Sequence, residues 1–118
     1  MTATTHTGGC HCGQVRYAVT LDLTQAISCN CSICTKQGFI WAFAPIGQFR
    51  LDSGDGMLTE YTFNKHVIRH QFCRHCGTES FARGKAPDGS EVAAINVRCI
   101  DNVDIGALEP KPVDGRSF

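Results

Sequence analysis

The sequence predicts an all-β or β-dominated fold with little helix. Turn-forming residues divide the 118-residue chain into segments too short for long helices, as at 8–9, 53–56 and 87–90. Between these turns, apolar and polar residues alternate, and β-branched and aromatic side chains are frequent. The length fits one domain, which we place over residues 1–118 with a core at about 7–105.

Each predicted element follows from its own residue pattern. Residues 14–20 alternate Val15, Tyr17 and Val19 with polar or small residues, which is typical of a half-buried strand. Further strands are predicted, in chain order, at 39–44, 48–51, 58–63, 67–72, 79–82 and 92–100. Helix is expected at only two places, for a turn or so after Ser32 and around 102–108. We therefore expect an open sandwich of sheets, held together by metal.

The charge pattern and the cysteine count narrow the class of protein. Eleven basic and eleven acidic residues cancel without forming a basic stripe, so we expect no nucleic-acid partner. An apolar stretch of about 18 residues, as a membrane span requires, is absent. Residues 1–9 lack the pattern of a secretory signal, and we expect a cytoplasmic protein. In that reducing compartment, the eight cysteines indicate metal ligands rather than disulfides.

Two cysteine pairs have the form of zinc knuckles. The pairs are Cys10-x-Cys12 and Cys73-x-x-Cys76, and a glycine follows the second cysteine of each. Glycine adopts positive φ readily, which lets the turn direct its amides toward the thiolates. Two such knuckles supply the four ligands of a tetrahedral zinc site. We predict a structural zinc at Cys10, Cys12, Cys73 and Cys76.

A third cluster, Cys29-x-Cys31-x-x-Cys34, offers three thiolates and no fourth ligand within its segment. Three protein ligands leave a coordination position open, as in catalytic zinc sites. Closure by Cys99 or by a histidine is the alternative, and it would make both zinc sites structural. Cys99 alternates with Ile95 and Val97 on a predicted strand, which favours a place in the core.

The five histidines give weak signals. His11 and His75 lie inside the knuckles, where a side chain between two ligands usually points away from the metal. His66 and His70 stand four residues apart but in a strand-like segment, so a helical pair of metal ligands is not supported.

An ion held by three thiolates favours thiol chemistry. Its net charge of −1 makes it a poorer generator of hydroxide than a site built from neutral histidines. Such a centre can bind a small thiol, deprotonate it and hold the thiolate near a reactive carbon. We expect the electrophile to be a small carbonyl compound and the product to contain a new carbon–sulfur bond.

Taken together, the three motifs resemble those of the glutathione-dependent formaldehyde-activating enzyme family, also called the CENP-V/GFA domain. The matching stretches are GCHCGQVRY at 9–17, CNCSICTKQG at 29–38 and FCRHCGT at 72–78. The resemblance implies a Mss4-like fold and two zinc ions per chain. It places a structural zinc on the four knuckle cysteines and a second zinc at Cys29, Cys31 and Cys34, where glutathione sulfur binds.

The activity that the resemblance implies is condensation of formaldehyde with glutathione to S-(hydroxymethyl)glutathione, a carbon–sulfur lyase reaction in reverse. Lys36, Asn96 and Arg98 are candidates to meet a carboxylate of the tripeptide. Two other functions stay open: a non-catalytic zinc protein that binds glutathione or another thiol, and an interaction scaffold. The sequence leaves open a monomer or a homodimer.

Overall fold

The computed structural model describes residues 3–117, and within that range ten strands form two sheets. The smaller sheet has three antiparallel strands, in the order β1 (Thr4–Gly9), β2 (Arg16–Leu21) and β5 (Phe49–Ser53). The larger sheet has seven strands, in the order β10 (Lys111–Val113), β3 (Ile27–Cys29), β4 (Ile40–Pro45), β9 (Glu91–Asn96), β8 (Phe81–Lys85), β7 (Arg69–Cys73) and β6 (Leu58–Tyr61). Its strands are antiparallel except for β10, which pairs with β3 in parallel.

The main core lies between the two sheets. Tyr17 on β2 packs against Phe49 at 5.6 Å and against Phe81 at 6.1 Å between ring centroids, and Tyr17 and Phe81 are fully buried. Aliphatic side chains from β2, β4 and β9 complete this layer. Burial of aromatic rings of this size contributes much of the hydrophobic stabilisation of a small protein.

The outer face of the larger sheet carries a second, smaller core beside the three-cysteine cluster. Phe39 and Trp41 pack with ring centroids 4.4 Å apart and are both buried. The small side chains of Ala82 and Ala94 belong to the same cluster, and they leave room for the large rings above β8 and β9. Cys34 is part of this core.

The prediction of a β-dominated fold is confirmed, although several element bounds differ. The helix after Ser32 is present as α1 (Ser32–Gln37), whereas the predicted helix at 102–108 is only a 3-10 turn at Ile105–Ala107. The strand predicted at 92–100 ends at Asn96. There the Asn96 Oδ1 accepts a hydrogen bond from the Arg98 amide and turns the chain into a 3-10 turn, Val97–Cys99. Cys99 therefore does not lie on a strand.

Hydrogen bonds to Asp101 join the segment after β9 to β1 and β2. Asp101 accepts hydrogen bonds from the Thr7 hydroxyl on β1, at 2.8 Å, and from the Arg16 guanidinium on β2. The Arg16 guanidinium and the Thr7 hydroxyl hold the pKa of Asp101 below its usual value. Both partners of the ion pair are more than a third exposed, so its contribution to stability is small.

None of the helices within 3–117 has the length and apolar character to cross a membrane.

Candidate metal centres

The first candidate metal centre joins the two predicted knuckles. One knuckle links β1 to β2 and the other follows β7, and the four sulfurs of Cys10, Cys12, Cys73 and Cys76 lie within 4.8 Å of one another. The Cys12 sulfur is 3.5 Å from that of Cys10 and 3.7 Å from that of Cys73. Four sulfurs about 2.3 Å from a tetrahedral zinc stand about 3.8 Å apart. The donor set fits that ion.

The backbone of each knuckle is shaped to receive thiolate sulfur. Gly13 and Gly77 have φ of 84° and 78°, the conformation predicted for the residue after each pair. The Val15 amide donates to the Cys10 sulfur at 3.3 Å, and the His75 amide donates to the Cys73 sulfur at 3.4 Å. Amide donors of this kind stabilise ligating sulfur and orient it toward a metal.

Cys76 is the member of this cluster that ionises most readily. Its sulfur lies 3.4 Å from the Thr78 hydroxyl. That hydrogen bond is the main reason that the pKa of Cys76 falls to about 5. Of the four thiols, that of Cys76 therefore gives up its proton to a metal ion most easily.

The second candidate metal centre lies where β3 meets α1. Cys29 ends β3, Cys31 is the N-cap of α1 and Cys34 lies within the helix, so one short segment brings three sulfurs within 4.8 Å. Gly38, at φ 71°, ends the helix after six residues. The Trp41 indole N–H donates to the Cys34 sulfur at 3.1 Å, and the Cys31 amide donates to the Cys29 sulfur at 3.5 Å.

Burial and hydrogen bonds together set the pKa values of the thiols in the second cluster. Burial raises the pKa of Cys34 to about 12, although the Trp41 hydrogen bond acts in the opposite direction. Burial also opposes ionisation of Cys31, but hydrogen bonds from the Cys34 amide and the neighbouring thiols outweigh it and lower that pKa. A metal ion must therefore displace the Cys34 proton when it binds.

The C-terminal segment covers one side of the second cluster, which the sequence did not reveal. Asn30 donates from its side chain to Asp114 at 3.0 Å and accepts from the Arg116 amide at 2.9 Å. A Cβ atom placed on Gly115 would lie 2.3 Å from the Cys29 sulfur, so the chain passes directly over that ligand. A cavity of about 300 Å³ opens here, lined by Ser28, Cys29, Asn30, Pro112, Val113 and Asp114.

The residues considered as a fourth ligand lie elsewhere. Among residues 3–117, neither cluster includes a histidine or Cys99. The Cys99 sulfur is 3.8 Å from the Glu79 carbonyl oxygen and lies outside both clusters. His11 and His75 are exposed, and the His75 Nδ1 pairs with the Gln14 side chain at 3.1 Å.

Of the three candidates for carboxylate recognition, two remain available. Asn96 is buried, and its amide donates to the Glu79 carbonyl while its oxygen caps the following turn, so the prediction for Asn96 is wrong. Arg98 is exposed, and its Nε donates to the Gly38 carbonyl at 3.1 Å at the end of α1. Lys36 is exposed on the last turn of the same helix.

Comparison with known proteins shows the family to which this chain belongs. Residues 5–113 match the sequence profile described as glutathione-dependent formaldehyde-activating enzyme (GFA). The chain belongs to the GFA family. A protein from Rhodobacter sphaeroides with a known crystal structure is 32% identical in sequence to this chain. The two structures superpose with a TM-score of 0.80, over 90% of this chain and 97% of that chain. The matched region of this GFA protein includes both cysteine clusters and ends at Val113 on β10.

Three features of this GFA protein lay beyond sequence reasoning: Trp41 as donor to Cys34, Gly115 over Cys29, and a buried pair formed by His70 and Glu79. Gly115 and Cys29 are distant in sequence, whereas the other two contacts join residues seven and nine apart, and all three depend on how the chain folds between the partners. Only the tryptophan had a signal in the sequence, because a buried indole N–H usually finds a partner.

Cys99 is expected to be an unreactive thiol in the native, metal-loaded protein. Burial raises its pKa to about 11, so almost no thiolate is present at neutral pH. Iodoacetamide should therefore leave Cys99 unmodified until the chain unfolds. Peptide mass spectrometry at timed intervals measures the extent of labelling at Cys99. Early labelling of Cys99 in folded protein would contradict the expectation.

Proposed function

We propose that this GFA-family protein is a zinc-dependent carbon–sulfur lyase that joins glutathione to a small aldehyde, formaldehyde in the simplest case. The observation that carries the proposal is the second cluster, which gathers three thiols without a fourth protein ligand among residues 3–117. A donor set of three leaves one position for a substrate, whereas the first cluster supplies all four ligands of a structural zinc.

Two zinc ions per chain fit the donor chemistry. Thiolate ligands select soft or borderline ions such as zinc, and both groups of sulfurs are compact enough to share one ion. At the second cluster, a bound zinc ion supplies a position for the thiol and lowers its pKa. The first zinc joins the turn between β1 and β2 to the turn after β7, and so stabilises the fold.

The residues around the second cluster hold and orient the substrate. The Trp41 N–H stabilises negative charge on Cys34, while the C-terminal segment limits access from the side of Cys29. Lys36 and Arg98 stand at the end of α1, and we assign them to the carboxylates of the tripeptide. Arg98 is held by its Nε, which leaves its terminal nitrogens for a bidentate contact.

The decisive experiment compares Cys34→Ser with Cys99→Ser, a matched change outside both clusters. We expect Cys34→Ser to keep its fold and the first metal but to lose catalysis at trace protein concentration, because two thiolates hold the second ion poorly. Cys99→Ser should retain both ions and full activity. Adduct formation above the uncatalysed rate is followed by nuclear magnetic resonance. Full activity in Cys34→Ser would refute the proposal.

Cobalt substitution distinguishes catalysis from simple thiol binding. The visible spectrum of cobalt reports ligand number and geometry, so only an open site should change when glutathione is added. A catalyst accelerates the approach to equilibrium at trace protein, whereas a carrier alters the amount of free adduct in proportion to protein. A response to glutathione without acceleration would therefore favour the non-catalytic thiol-binding function.

A further inference from the structure

A buried histidine–carboxylate pair lies on the larger sheet and has no role in either metal centre. His70 is on β7 and Glu79 precedes β8, and the His70 Nδ1 is 2.6 Å from a Glu79 carboxylate oxygen. The two side chains are only 5% and 7% exposed. Burial of such a pair is a poor source of stability, because desolvation offsets much of the attraction between its members. A functional role therefore needs to be considered.

The second ring nitrogen of His70, Nε2, takes no part in the contact with Glu79. In the part of the chain that the structure describes, residues 3–117, Nε2 has no hydrogen-bond partner, and it is not among the buried unpaired atoms that are closed off from solvent. An ionised Glu79 carboxylate can only accept hydrogen bonds, so the Nδ1–H group of His70 is the donor in this contact. This contact fixes the tautomer and leaves a lone pair on Nε2 that can accept a proton.

The aromatic layer beside the second cluster surrounds this ring. Phe39 and Phe63 stack on His70 with centroids 6.4 and 5.7 Å away, at interplanar angles of 14° and 23°. Trp41 lies 6.2 Å from His70, and the indole N–H of that same residue donates to the Cys34 sulfur. Trp41 thus contacts both the thiol cluster and the histidine, and it is the side chain that links the two.

We propose that His70 is the proton carrier of the carbon–sulfur bond-forming step, with Glu79 as its positioning residue. The inference rests on the proposed function and adds a catalytic residue to it. Nε2 accepts the proton of the incoming thiol, directly or through one water. The sulfur lone pair then forms a bond to the carbonyl carbon, and the π electrons of the carbonyl move to oxygen. That oxygen takes the proton from Nε2, so the neutral imidazole is restored and no further reactant is consumed.

The test compares His70→Asn with His66→Asn in the zinc-loaded protein. His66 is exposed, four residues away, and adopts a φ of 57°, a left-handed conformation that asparagine tolerates well. We expect His70→Asn to lower kcat for adduct formation by about 100-fold or more with little change in KM, the range typical of lost general acid–base catalysis. Added imidazole should restore part of the rate. His66→Asn should behave as the unchanged protein.

Two further measurements do not depend on the folding of His70→Asn. In Glu79→Gln the amide can donate to Nδ1, which moves the proton to Nε2, so the rate should fall while both metals stay bound. Independently, nitrogen NMR of the unsubstituted zinc protein should show His70 Nε2 as an unprotonated nitrogen. Its signal should move toward the protonated position when glutathione is added without aldehyde.

The outcomes separate the two proposals. Retention of at least half the rate in His70→Asn or in Glu79→Gln would overturn the role of the pair, as would a His70 nitrogen signal that glutathione does not change. In each of those cases the cobalt spectrum of the second cluster still responds to glutathione. A cobalt spectrum that does not respond, together with no catalysis by the unsubstituted protein, would instead remove the proposed function and the proton carrier with it.

Discussion

Replacement of Cys73 by serine is expected to unfold the protein. Cys73 is fully buried at the end of β7, and its sulfur accepts hydrogen bonds from the His75 and Cys76 amides. Serine is a poor zinc ligand, so three thiolates would remain in a site built for four. A structural zinc contributes about 10 kcal/mol or more to folding, comparable with the roughly 5–15 kcal/mol by which small proteins are stable.

Circular dichroism and metal analysis measure this effect, and Cys99→Ser is the control. It makes the same atomic change in a partly buried thiol outside both clusters, so it should retain two zinc ions and a cooperative thermal transition. Cys73→Ser should lack the near-ultraviolet signal of packed aromatic rings. A Cys73→Ser protein that melts within a few degrees of Cys99→Ser would show that the first cluster is not needed for folding.

Gly115→Ala is expected to impair the second metal centre while leaving the first intact. The added Cβ would lie 2.3 Å from the Cys29 sulfur and 3.3 Å from the Cys31 Cβ, so either the ligand or the C-terminal segment must move. Either movement disturbs the cluster, because Asn30, which lies between Cys29 and Cys31 in sequence, is hydrogen-bonded to Asp114 in the same C-terminal segment. Loss of such supporting contacts commonly reduces metal affinity by about 10–100-fold.

Competition with a zinc chelator measures that affinity, and Gly106→Ala provides the matched control. Gly106 also lies in the C-terminal region, but a Cβ atom there would have its nearest neighbour at 3.5 Å, an ordinary contact. Gly106→Ala should release its second zinc at the same chelator concentration as the unchanged protein. Equal release from Gly115→Ala would mean that the segment over Cys29 is free to move aside.

The cysteine clusters could be predicted because their ligands are set by local spacing. Cys29, Cys31 and Cys34 lie within six residues, and each knuckle carries its own turn-forming glycine. The predicted pairing of the two knuckles, 61 residues apart, agrees with the four sulfurs that the fold brings together. The strands β2 and β4 could also be predicted from the sequence, since both are rich in the apolar residues of a buried strand.

Other elements could not be predicted because their residues depend on partners elsewhere in the chain. β1 is mostly exposed, so its threonines show no apolar alternation, and β10 is a three-residue strand containing Pro112. The pair formed by His70 and Glu79 requires two strands to be neighbours, which single-strand patterns do not specify. Asn96 resembled a surface polar residue but is buried, because its amide satisfies the Glu79 carbonyl.

The position of β10 has a consequence for the order in which the chain folds. Contacts within residues 29–34 close a very short loop, so the three thiols can meet early and at little entropic cost. β10, which leads into the segment over Cys29, is about 80 residues further along, and its pairing with β3 is one of the longest-range contacts in the fold. Synthesis from the N-terminus therefore presents the three thiols before the segment over Cys29 exists, and this interval gives an ion unobstructed entry from that side.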